Sequence, residues 1–224
     1  MIGYDWNFAV LAPFLGAFIR GTYITLGLSI ISFLIGSSVG IAVGALFRSV
    51  PGARLIFFLN DCVRAVPLLV MLFLVYFFPV KEMFGLTPPS PFWSSVIAFG
   101  IIQAAYTADV VRSAIEQVPE RAILAGHAIG LTATDLWRFV ILPDVLRQVT
   151  PAQIAFFIGT VRLSSLASVI GVQDVVFVSR AISAQTFRSL EPLLVVAAIY
   201  VVIVVPLTVV ARELEQSKWL KRRA

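Results

Sequence analysis

Long apolar runs alternate with short polar intervals along this chain. Residues 21–47 contain no charged side chain, and as a helix they would reach about 40 Å, more than a hydrocarbon core of about 30 Å. Residues 55–80 form a second apolar stretch, interrupted by Asp61 and Arg64 and uncharged over 65–80. The run 83–108 is uncharged again, but Pro88, Pro89 and Pro91 make its start a loop and move the helix to Phe92 onward. A fourth stretch covers 148–173 with Arg162 alone inside it, and a fifth covers 192–211. The pattern predicts five transmembrane helices at about 18–47, 55–80, 92–112, 148–171 and 191–212, with a polar loop at about 113–147. The fold class is therefore all-α and polytopic. The spans leave no room for a separate soluble domain, so residues 1–224 read as one membrane domain. Membrane β-strands would alternate, and Leu68-Leu69-Val70-Met71-Leu72-Phe73-Leu74-Val75 does not.

Finer patterns sit on this frame. In the first span Ser32, Gly36, Gly40 and Gly44 recur every four positions, a face without side chains that lets another helix approach closely. Packing within one subunit is the favoured use, chain-to-chain contact the other. In the polar loop, Pro119 and Glu120 suit the first turn of a helix running to about Ile129. Gly130 can take the left-handed conformation that ends it. Thr132 or Thr134 can cap a following helix carrying Trp137, Phe139, Val140 and Leu142, with Pro143 expected to close it. The segment 171–185 reads as an outer or partly re-entrant helix.

Composition agrees: 59% of the 224 residues are hydrophobic and 13% charged, about half the charged share of a soluble domain. Charge also orients the chain. With the N-terminus outside, Arg48, Arg54, Arg112, Arg121, Arg138, Arg147, Arg212, Lys218, Lys221, Arg222 and Arg223 fall inside, against Arg20, Lys81, Arg180 and Arg188 outside. This bias predicts a periplasmic N-terminus and a cytoplasmic C-terminus. Since no Lys or Arg precedes Arg20, residues 1–17 read as a retained outer segment rather than a signal peptide. The cluster Lys218-Trp219-Leu220-Lys221-Arg222-Arg223 suits anionic lipid headgroups and is read first as a stop-transfer anchor.

Candidate chemistry is sparse. Cys62 is the single cysteine, expected to be a small buried apolar side chain. His127, the single histidine, lacks partners for zinc, and no serine or cysteine stands near it in sequence to support an intramembrane hydrolase. The phosphate-cradling G-x-x-x-x-G-K-[ST] is absent, so any ATP would be bound by another chain. Arg64 and Arg162 stand inside spans, where charge is costly and faces protein or a watery pathway. Asp61 lies three positions before Arg64, offering an i,i+3 pair favoured over solute contact. Arg162 has no acid within a turn and, with Ser164 and Ser165 beside it, is the better candidate for lining a pathway.

Gly130 followed by Ile141, Leu142 and Pro143 reproduces the end of an inner-loop motif. Four further strings accompany it: Arg64-Ala65-Val66-Pro67-Leu68-Leu69-Val70; Ala105-Tyr106 with Asp109 and Arg112; Ser164-Ser165-Leu166-Ala167-Ser168-Val169-Ile170-Gly171; and Thr186-Phe187-Arg188 with Glu191-Pro192. In order and spacing the chain resembles permease subunits of ABC importers in the polar amino acid uptake family, the histidine, glutamate, glutamine and arginine type. Two positions depart from that pattern. Leu124-Ala125-Gly126 stands where the family has Glu-Ala-Ala, and Arg162-Leu163 where many relatives have Lys-Asp or Lys-Asn. The resemblance implies an ATPase-coupling element at Glu120, Ala122, Leu124, Ala125, Gly126, Gly130, Leu142 and Pro143, with small Ala128 on the same helix. It also implies a pathway near Arg64, Pro67, Arg162, Ser164 and Ser165. The partners it implies are two ATP-binding subunits using ATP and Mg, a second permease chain and a solute-binding protein, in a bacterial inner membrane. This chain itself would bind no cofactor, catalyse no reaction and contact lipid but no nucleic acid. A passive channel or structural membrane protein is the alternative.

Overall fold

The structure is a computed structural model that describes residues 5–46 and 53–216. The expectations for Arg48 and for the basic cluster at 218–223 lie outside the described residues. Every element is helical: a 3-10 turn Phe8–Phe14 leads into α1 (Leu15–Ala45), followed by α2 (Ala53–Ala65), α3 (Leu68–Tyr76), α4 (Val80–Phe84), α5 (Pro91–Glu116), α6 (Glu120–Ala128) and α7 (Ala133–Leu136). A π-helical turn Trp137–Ile141 joins α7 to α8 (Leu142–Leu163); a 3-10 stretch Ser164–Ile170, α9 (Val175–Thr186) and α10 (Leu190–Gln216) complete the chain. Among the described residues, four helical segments are long and apolar enough to cross a membrane: Phe8–Ala45, Pro91–Glu116, Ala133–Ile170 and Leu190–Leu214.

The second apolar stretch is not one helix. Its parts, α2 and α3, meet at 99° across Val66 and Pro67, and count as a fifth span only when taken together. Pro67 supplies the cause: it has no N–H to continue the ladder, and its ring disfavours helical geometry at Val66. A second expectation reverses at Pro143. The helix does not stop there, because the wide π-turn places Pro143 in the first turn of α8, where a missing N–H is tolerated; the Leu142 N–H reaches back five residues to the Trp137 carbonyl.

The described residues pack into two compact units, and α1, α5, α8 and α10 each contribute to both. One comprises Met1–Ser32, Leu68–Ala98 and Ile158–Thr208. Its core gathers Leu11, Phe18, Val175, Ile182 and Val196. A Cβ on Gly21 would sit 2.9 Å from the Val175 Cα, so glycine allows the start of α9 to rest on α1, where the Val175 N–H donates to Thr25 Oγ1 at 3.3 Å.

The other unit comprises Phe33–Pro67, Phe99–Phe157 and Val209–Ala224. Here the glycine face of α1 meets α5 inside one chain: a Cβ on Gly36 would come within 2.6 Å of Gln103 and the Gly100 carbonyl, on Gly40 within 2.5 Å of Thr107 and the Ala104 carbonyl, and on Gly44 within 2.7 Å of Val111 and the Ala108 carbonyl. Ser37, Gln103, Thr107 and Gln153 tie α1, α5 and α8 together; Ser37 Oγ donates to Gln153 Oε1 at 2.8 Å and Gln153 Nε2 to Thr107 Oγ1 at 3.1 Å. In an apolar medium such groups must satisfy one another. Below them Val111, Ala114, Ile115, Val118, Leu136, Ile141, Val145 and Val149 form a core that carries the loop helices.

Candidate functional site

The loop builds a defined helix from local signals. Pro119 precedes α6 with extended ψ, Glu120 opens its first turn, and the Ala122 N–H returns to the Pro119 carbonyl at 2.9 Å. At the other end Gly130 adopts φ 81°, its N–H meets the His127 carbonyl at 3.0 Å and the Leu131 N–H meets the Gly126 carbonyl at 3.1 Å. That double closure is the Schellman arrangement, which needs a left-handed residue at Gly130. Thr132, rather than Thr134, caps α7: its Oγ1 accepts from the Asp135 N–H at 3.2 Å and donates to Asp135 Oδ2 at 2.6 Å.

The small residues of α6 divide by face. Gly126 is buried, because a Cβ there would lie 2.5 Å from Leu136 Cδ1; its size serves packing under the loop. Ala122 is half-buried, while Glu120, Ala125, Ala128, His127 and Leu124 are exposed, Leu124 at 61%. An exposed leucine followed by exposed alanines, on a helix braced from behind, is a surface shaped for a close partner. Leu142 is 41% exposed at the start of α8, and Pro143 lines a groove of about 710 Å³ with Ala122, Arg121 and Arg147.

Arg64 lies in the second unit and is paired. Its Nη1 is 3.2 Å from Asp61 Oδ1 and 2.9 Å from Asp109 Oδ2, and its guanidinium sits 5.2 Å from the centre of the Tyr106 ring. Asp109 also holds Arg112 at 3.0 Å, and Arg112 lies 4.9 Å from the Phe57 ring. With Asn60 Nδ2 donating to the Ala105 carbonyl at 3.0 Å, these contacts clamp α2 to α5. Asp109 was no candidate in the sequence, where only its spacing to Arg112 hinted at it. Cys62 is exposed, against the burial expected of it. Phe57, Asn60 and Arg64 share the face turned to α5, and Cys62 falls off that face. Pro67 is exposed at the α2–α3 bend.

Arg162, Ser164 and Ser165 lie in the first unit. Arg162 is exposed, and no carboxylate reaches it among the described residues. It lines an open groove of about 520 Å³ with Ser165, Tyr200, Val176, Val201, Val204 and Val205. Ser164, fully buried, donates to the Val161 carbonyl at 2.8 Å and closes the turn rather than facing the groove. Leu163 is 46% exposed.

Two buried acids flank α9 in this unit. Asp174 is fully buried and caps α9, accepting from the Phe177 N–H at 2.8 Å, while its Oδ2 has no partner. Burial pushes its carboxyl up from 3.8 to about 6, against the pull of the Phe177 and Val176 N–H groups and of Arg180. Glu191 is fully buried, bound to Arg188 Nη1 at 2.7 Å and to the Asn7 N–H at 3.2 Å; Arg188 also donates to the Asp5 carbonyl at 2.6 Å. Phe187, left-handed at φ 54°, stands 94% exposed at that corner.

Known proteins share this arrangement. Residues 36–219 match the family described as binding-protein-dependent transport system inner membrane component. The chain is 28% identical over 215 residues to the arginine transport system permease protein ArtQ of Bacillus subtilis, covering 94% of this chain and 96% of that protein. It is 34% identical over 203 residues to the L-cystine transport system permease protein TcyB of the same organism, covering 88% and 84%. Among solved structures, one described as an amino acid ABC transporter with histidines superposes with a TM-score of 0.85 at 28% identity, over 95% of this chain and 99% of that one.

Proposed function

Because this chain belongs to the family of binding-protein-dependent transport system inner membrane components, as a permease subunit of the polar amino acid class of ABC importers, we propose that it forms half of the import pathway for an amino acid or related small polar solute and is driven through α6. The family places it in the inner membrane, with an ATPase and a solute-binding protein as partners, and sets the passive channel aside. In the arrangement proposed, a second permease chain, identical or homologous, completes the pathway, and two ATP-binding subunits hold the ATP and Mg.

The observation that carries the coupling role is the split character of α6. Gly126 and Ile123 face the core that also holds Val111, Leu136 and Val145, while Leu124, Ala125 and Ala128 face outward. A push on the outer face is thereby delivered to α5 and α8 through packed side chains. Leu124 gives this contact an apolar character where the family pattern is acidic, and Glu120, Gly130, Leu142 and Pro143 frame it.

Of the two arginines proposed for the pathway, Arg64 is paired and Arg162 meets no carboxylate among the described residues, and an amino acid carboxylate is the group that would complete it. Ser165 supplies a hydroxyl beside it, Tyr200 lines the groove while its own hydroxyl is buried, and Leu163 offers nothing to a cationic side chain. Arg64 and Pro67 serve the α2–α3 bend and its clamp on α5. The α9–α10 corner, in the topology with a periplasmic N-terminus, is the seat proposed for the loaded binding protein. The coupling role is tested by Ala125→Trp in the reconstituted complex: binding-protein-stimulated ATP hydrolysis should fall at least tenfold while membrane insertion persists. Unimpaired uptake in that variant would remove α6 from the coupling path.

A further inference from the structure

The groove behind α6 has a composition that α6 docking does not use. It is bounded by Gln117, Val118, Pro119, Arg121 and Ala122 on one side and by Phe139, Val140, Pro143, Asp144, Arg147 and Gln148 on the other. The useful division is between a cationic part, Arg121 and Arg147, and an apolar part, Phe139, Val140 and Val118. Asp144 is the single acid in the lining, and Gln148 Nε2 already donates to its Oδ2 at 3.3 Å. Two arginines against one acid leave the groove with an excess of positive charge, and Arg147 Nε is buried without a hydrogen-bond partner.

Helix lengths place this groove at the membrane surface. The candidate span Pro91–Glu116 ends where the lining begins, at Gln117. The segment Ala133–Ile170 has 38 residues, about 57 Å of helix against a hydrocarbon core of about 30 Å, so only about twenty of its residues fit within the core. Counting back from Ile170 sets the boundary near Thr150, and Arg147 and Asp144 fall one to two turns beyond it, at headgroup depth. The apolar side chains beside the groove are exposed: Phe139 at 62%, Leu142 at 41% and Leu146 at 45%, a set spaced three and four apart on one helical face. Trp137, 40% exposed, and Arg138, 5.4 Å from the Phe139 ring centre, extend that surface. Aromatic and basic side chains together are the usual lining of a membrane interface.

A ligand matching both parts must carry a negative head and an apolar tail. The geometry points to an anionic phospholipid seated in this groove, its phosphate between Arg121 and Arg147 and its acyl chains along Phe139 and Leu146. Arginine is suited to the head because its fork can pair two phosphate oxygens at once. Such a lipid would brace the end of α5 against the start of α8, next to the helix that receives the motor's push.

The test is native mass spectrometry of the purified permease–ATPase complex released from nanodiscs of equal phosphatidylglycerol and phosphatidylcholine. The wild type should retain phosphatidylglycerol at least tenfold over phosphatidylcholine. Arg121→Gln with Arg147→Gln should lose one bound phosphatidylglycerol per permease chain, and Arg121→Lys with Arg147→Lys should keep it. Inorganic phosphate added in large excess should not displace it. Equal retention of the two lipids by the wild type, which needs no variant to fold, overturns the inference. So does undiminished phosphatidylglycerol in the double glutamine variant, or displacement by phosphate, which would make this a site for a soluble anion.

Discussion

At the scale of single residues, three kinds of buried or in-span charge can be told apart. Asp109 answers both Arg64 and Arg112 within one clamp, so neither arginine calls for a solute. Arg162 is the opposite case, and its groove is lined by Ser165, Tyr200 and valines but by no acid. Asp174 is a third kind, an acid the fold holds at a cost: buried, with one oxygen unpartnered and its carboxyl raised to about 6. Because the raised value favours the neutral form, its contribution to stability is full below 3.8 and is lost as pH climbs through about 6. The difference corresponds to about 3 kcal/mol. Asp174→Asn keeps the capping oxygen for the Phe177 N–H and removes the charge. Thermal unfolding of the purified complex at about pH 4 and about pH 7.5 should show the variant gaining stability over wild type only at the higher pH; an equal difference at both values would deny Asp174 this role. The pair Arg64 and Asp61 was readable from spacing alone, whereas Asp109 lies in another helix and no sequence pattern joins it to Arg64.

At the scale of elements, local grammar carried further than expected in some places and misled in others. Pro119, Glu120, Gly130 and Thr132 each impose a backbone conformation on their own few residues, which is why α6 and its glycine stop were legible. Pro143 misled because a π-turn leaves no trace in apolar periodicity, yet it is what lets the helix pass through proline. The 99° turn at Val66 and Pro67 was hidden by unbroken hydrophobicity, although Pro67 itself carried the signal. The glycine face of α1 was legible as a packing surface, and its partner, α5, was not. That contact makes a sharp prediction. A Cβ on Gly40 would lie 2.5 Å from the Ala104 carbonyl, while one on Gly27 in the same helix meets nothing within 4 Å. Gly40→Ala should therefore cost about 1–3 kcal/mol through forced separation of α1 and α5, and Gly27→Ala should cost nothing. Melting of the two purified variants separates them, and equal stability would contradict the close α1–α5 approach.

At the scale of the whole molecule, scarcity of charge announced a membrane protein, and the order of its motifs gave the permease resemblance that the family match bears out. The sequence holds no phosphate-binding loop, and the proposed coupling makes α6 the surface through which ATP hydrolysis on another subunit would act. The half-pathway and its solute were less legible, because in the proposed arrangement a second chain completes the pathway and a soluble binding protein shares in its selectivity. The most direct test is uptake of tritiated L-amino acids by proteoliposomes holding this permease, its ATPase and its binding protein. The account predicts accumulation that requires ATP and all three components, and that stops when the ATPase is omitted. Equal flux through the permease alone, unaffected by ATP, would contradict it.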